Sequence, residues 1–96
     1  MADTIEYSNG SVVSKTLLKK EAGTLTLFAF DKGQGLSEHT APFDATVYIA
    51  DGTAEVTIDG NVNKVKKGEM IIMPADKPHS LKAEERFKMM LIMIRT

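Results

Sequence analysis

The spacing of its turns constrains this chain most. Apolar, β-branched and aromatic residues come in short runs, each closed by Gly, Pro, Asn or Asp after about ten residues. The runs cover residues 12–18, 24–30, 45–50, 53–59, 62–65, 70–73, 79–81 and 87–94. Within 24–30, Thr24, Thr26, Phe28 and Phe30 alternate with Leu25, Leu27 and Ala29, the two-residue period of a strand. Ala54, Val56 and Ile58 share one face of the next clear strand but one. Asp59-Gly60-Asn61 reads as a tight hairpin, because a primed turn needs positive φ and these residues reach it at low cost. Residues 31–35 hold two glycines, and 74–78 two prolines; both read as loops. The only helix-friendly stretch, Glu84-Glu85-Arg86, is too short to stand alone. Eight or nine short strands without a substantial helix predict an all-β fold, either a sandwich or a closed barrel.

A length of 96 residues leaves room for one domain. So small a domain buries a modest share of its surface, and with no Cys it cannot be stapled by disulfides. Formal net charge is −1, and Lys19-Lys20 and Lys66-Lys67 are isolated pairs near Glu21 and Glu69. A nucleic-acid surface would need a basic stripe instead. No apolar run approaches the roughly 18 residues that cross a bilayer. Residues 1–10 are polar, lack a signal-peptide core and read as a poorly ordered arm. A soluble, cytoplasmic protein with no nucleic-acid or membrane partner is expected.

The last run is apolar on both faces. Phe87, Met89, Leu91 and Met93 alternate with Met90, Ile92 and Ile94. A strand of this kind is covered on both sides. One face fills the interior, and the other predicts a homodimer through the sheet that holds this strand.

Residues 33–83 carry a spacing found in a known family. Gly33 is followed after five residues by His39, and Gly52 closes that segment; Gly68, Pro74 and His79 form a second set. These residues resemble the two motifs of the cupins: Gly, five residues, His-x-His, Glu and Gly in the first, and Gly, Pro-x-Gly, His and Asn in the second. The chain is similar to the small single-barrel, cupin-2 type. The resemblance implies a double-stranded β-helix, or jelly-roll barrel, over residues 11–96. It also implies a central cavity into which His39 and His79 point, lined in addition by Ala41, Ala45, Val47 and Ile49.

The same comparison exposes substitutions. The family's metal site takes two His and one Glu from the first motif and one His from the second. Ala41 stands at the second His and Ala45 at the Glu, while Asp76 and Ala83 replace a Gly and an Asn. Two imidazoles remain as ligands for a divalent ion such as Fe, Mn, Ni or Zn. Asp44 and Glu38 are candidate third ligands, each one residue out of phase with the cavity face.

Four uses of such a barrel stay open. It can bind a small molecule through His39 and His79, and the two alanines enlarge and dry that pocket. It can be a metal-dependent oxygenase or isomerase with a reduced site. His39 and His79 can be catalytic as a metal-free acid–base pair, or the barrel can serve assembly alone. Met70, Met73, Met89, Met90 and Met93 read as fillers of irregular gaps, and nothing in their spacing favours a copper(I) site. Tyr48 falls on the face opposite Val47, and Lys77 and Lys82 read as solvated. No nucleophile elbow or nucleotide-binding glycine loop is present.

Overall fold

The computed structural model describes residues 4–94. Eight strands follow in order: β1 Val12–Lys20, β2 Gly23–Phe30, β3 Gly35–His39, β4 Ala45–Ile58, β5 Asn61–Lys66, β6 Met70–Met73, β7 His79–Lys82 and β8 Phe87–Ile94. All pairings are antiparallel. One sheet runs β1-β2-β8-β4 with β6 beside the first half of β4. The other is built from β5, the second half of β4, β7 and β3. The fold is the all-β double-stranded β-helix, with β4 passing from one sheet into the other.

That passage differs from the sequence expectation of two strands with a turn at Asp51-Gly52. The register of β4 against β8 shifts between Ile49 and Asp51. A bulge adds one residue and so switches which parity faces inward. Ala45, Val47 and Ile49 face the interior before it, and Ala54 and Val56 after it, all buried. Gly52 lies in the bend at φ +74°, and a Cβ there would collide with the carbonyl oxygen of Arg86. Only glycine meets both demands.

β3 carries no strand signal in the sequence, since Leu36 is the single apolar residue in Gly-Leu-Ser-Glu-His. As an edge strand paired only with β7, it exposes most of its side chains. Its pairing is fixed by β7 rather than by its own pattern.

The core lies between the sheets. Phe30 and Phe87 stack with centroids 4.5 Å apart, among Val47, Ile49, Val56 and Met89, all fully buried. The N-terminal arm is folded onto the outer face, contrary to the expectation of disorder. Ile5 is buried against Leu27 and Ala29. The Tyr7 hydroxyl donates to Asp51 Oδ2 at 2.7 Å, and its ring meets Lys88 Nζ at 4.8 Å and the Arg86 guanidinium at 5.2 Å. Burial, then the bond to Asp51, raises the Tyr7 pKa well above its ordinary range. Residues 1–3 of the arm lie outside the described residues.

Candidate functional site

The edge strand β3 and its neighbour β7 bring the two imidazoles together. His39 ends β3, His79 begins β7, and the two are register partners. Their rings meet edge to face, with centroids 4.4 Å apart at 72°. The Nε2 atoms lie 3.2 Å apart. His79 is buried at 4% exposure, whereas His39 is exposed at the mouth.

Each ring is held the same way. His39 Nδ1 lies 2.8 Å from the Ser37 carbonyl oxygen, and His79 Nδ1 lies 3.2 Å from that of Lys77. In the tautomer in which both Nδ1 atoms carry the proton, each donates it to its carbonyl, which only accepts. A neutral imidazole has one N–H, so both Nε2 atoms then present bare lone pairs to each other. Such a pair calls for a third party between or beside the nitrogens: a proton, a cation or a ligand's donor. Burial, and next the charge of His39, hold the His79 pKa below its usual range, while the Lys77 carbonyl opposes them.

The loop before β7 positions His79. Asp76 stands where the motif has Gly and adopts φ +63°, the left-handed region that Asp tolerates better than most residues. Its N–H donates to the Ala41 carbonyl at 2.8 Å, and the Ala75 N–H donates to Asp44 Oδ1 at 2.8 Å. Asp44 thus ties two loops together from an exposed position outside the cavity.

Below the pair lies a cavity of about 200 Å³. Its walls are Leu36, Ala41, Ala45, Leu81 and Leu91 with three methionines, Met73, Met89 and Met93. Of the residues expected from sequence, His39, His79, Ala41 and Ala45 line it. Val47 and Ile49 face the same way but are sealed in the core beneath. The methionines were read as fillers, and a reason to gather them was available only in register: Ala45 pairs with both Met73 and Met93.

A Cupin_2 family model, described as a cupin domain, matches residues 26–95. The chain is a cupin. It is 43% identical to a cupin 2 conserved barrel domain protein from Leptotrichia buccalis, with a TM-score of 0.96, covering 99% of this chain and 46% of that one. This cupin therefore spans less than half of that relative's length. A conserved protein of unknown function from Streptococcus pyogenes is 39% identical, with a TM-score of 0.88, over 93% of this chain and 78% of the other. A cupin superfamily protein from Desulfitobacterium hafniense is 28% identical, with a TM-score of 0.95, over 100% and 88%. No curated protein matches the chain.

Cupins commonly hold a divalent metal, and the donor set here does not fit one. Catalytic zinc and iron sites use three or more protein ligands. Among the described residues no three His, Cys, Asp or Glu side chains come together. Asp44 is engaged with the Ala75 N–H, and neither it nor the exposed Glu38 lines the cavity. Among the described residues, too, no helix is long and apolar enough to cross a membrane.

Proposed function

We propose that this cupin binds a small, neutral, ring-sized molecule whose hydroxyl group donates to the His39–His79 pair. The observation that carries the reading is the pair of Nε2 atoms facing each other at 3.2 Å over an apolar cavity, with each Nδ1 set against a carbonyl. Two acceptors ask for a donor head. A neutral hydroxyl suits the site better than an ammonium, which would lose hydration in an apolar pocket, or a carboxylate, which has nothing to offer an unprotonated nitrogen. An apolar cavity of about 150 Å³ holds benzene, so about 200 Å³ accepts a ring with a substituent. Methionine walls favour an aromatic ring through sulfur–aromatic contact.

Thermal-shift titrations with phenol, benzyl alcohol, benzylamine and benzoate test the reading. A hydroxyl ligand at about 100 times its Kd adds about 2.7 kcal/mol, several degrees for a domain this small. The shift should vanish in His39→Ala and in the cavity-filling Ala45→Leu. A response to benzoate alone, or none at all, would overturn it.

We further propose that a second copy covers the outer face of the first sheet. Leu18, Ile72 and Ile94 stand exposed there, at 44, 58 and 58%, and the arm covers a different part, around Leu27 and Ala29. The exposed Lys20 and Asp44 flank this stripe on opposite sides. A two-fold axis along β8 therefore sets each lysine against the partner's aspartate.

A further inference from the structure

The cavity contains a second set of donors that the hydroxyl-binding reading does not use. Met73 comes from β6 and Met89 and Met93 from β8, the two strands meeting across β4, and all three line the same space as both imidazoles. No carboxylate lines it. The remaining wall is alkyl. Every side-chain donor among the lining residues is thus an imidazole nitrogen or a thioether sulfur. This is a soft donor set, and thioethers select copper(I) over hard or borderline divalent ions.

The imidazoles are set as metal ligands usually are. A ligating His donates its other ring N–H to a carbonyl or carboxylate, which fixes the tautomer and aims the free nitrogen. Here both Nδ1 atoms meet carbonyls and both Nε2 atoms converge at 3.2 Å. Nitrogens about 2.0–2.1 Å from one shared ion and separated by 3.2 Å subtend an angle near the tetrahedral one. A two-coordinate linear ion would hold them farther apart. An ion between them therefore needs further donors, and three methionine side chains line the same cavity.

We propose that His39 and His79, together with thioethers of Met73, Met89 and Met93, form a binding site for a soft monovalent ion, copper(I) in the reducing case. The site uses the same Nε2 atoms as the hydroxyl ligand but does not rest on that reading. The misfit to divalent metals and the gathering of sulfur have one cause. Ala41 and Ala45 remove the hard ligand positions, and methionines line the space that they open.

The test is an anaerobic competition with copper(I) supplied as its bicinchoninate complex. The protein should withdraw one equivalent of copper(I) and fail to withdraw zinc from a dye of similar strength. His39→Ala should abolish the uptake. The triple variant Met73→Leu/Met89→Leu/Met93→Leu keeps the apolar volume and should lose more than about tenfold in copper(I) affinity, the scale on which metal-supporting groups act. No withdrawal of copper(I), or equal affinity in the triple variant, overturns the proposal. Should the triple variant fail to fold, silver(I) added to wild-type protein decides. The methyl carbon signals of Met73, Met89 or Met93 should move while that of Met70, 63% exposed on the outside, stays. Silence from all three overturns the proposal. Phenol titration of the folded triple variant separates the two readings, since hydroxyl binding should persist there.

Discussion

Replacing Gly52 with Ala should damage this barrel far more than the same change at Gly60. Both glycines have positive φ, +74° and +82°. Each alanine therefore pays about 1–2 kcal/mol for the left-handed conformation, offset by about 0.4–1 kcal/mol from the stiffer unfolded chain. At Gly60 nothing lies within 4 Å of the new Cβ, so the loss ends there. At Gly52 the Cβ meets the Arg86 carbonyl and lies 3.0 Å from the Phe87 Cα. Since those atoms are backbone, the bend of β4 must move away from β8. Overpacking of this kind adds about 1–3 kcal/mol. The expected loss is then about 2–4 kcal/mol for Gly52→Ala and under about 1.5 kcal/mol for Gly60→Ala. Urea unfolding, with thermal melting as a second probe, reads the difference. Equal losses would refute the close approach at the bend, and with it the reason β4 continues through residues 51 and 52.

Other outcomes follow from single contacts. Asp44→Ala should cost about 0.5–1.5 kcal/mol by removing the acceptor of the Ala75 N–H, with zinc affinity unchanged; a drop in zinc affinity would restore Asp44 as a ligand. Asp31 accepts from Gly10 N–H and Arg86 Nε at 2.6 and 2.7 Å, and these bonds, that of Gly10 first, lower its pKa from 3.8 to about 2. A depressed carboxylate stabilises above its unfolded pKa, so this contribution should be intact above pH 4 and fade between about 4 and 2. Asp31→Asn should flatten the acid limb of a stability–pH curve, and an unchanged limb would deny Asp31 that part. Light scattering should give twice the 10.5 kDa chain mass for wild type and the single mass for Ile94→Asp; a monomeric wild type would remove the second copy from the outer face.

What the sequence discloses depends on how far each feature is local. The faces of β2 and β8 were legible because alternation is written into neighbouring residues, and so was the turn at Asp59-Gly60, where φ is +49° and +82°. β3 was not legible, because its strand conformation is imposed by β7. Neither was the continuity of β4, since a bulge at Ala50 resets the inward parity and mimics a turn. In the site, His39 and His79 were singled out through the resemblance to the cupin motifs. Val47 and Ile49 share the parity of Ala45 yet lie deeper, and parity carries no depth. The three methionines meet only through register across β4, which no single stretch of chain records. Asp44 was read as a stray ligand, and its actual partner, the Ala75 N–H, lies 31 residues away.

The most direct test of the proposed site is a long-range proton–nitrogen imidazole spectrum of the protein during titration with phenol, held well above the ordinary imidazole pKa of about 6.5. Both His39 and His79 should show the Nδ1–H tautomer in the free protein, and their Nε2 signals should move toward those of a hydrogen-bonded acceptor as phenol binds. An Nε2–H tautomer in either ring, or phenol binding that leaves both Nε2 signals in place, would contradict the assignment of this pair as the head-group receptor.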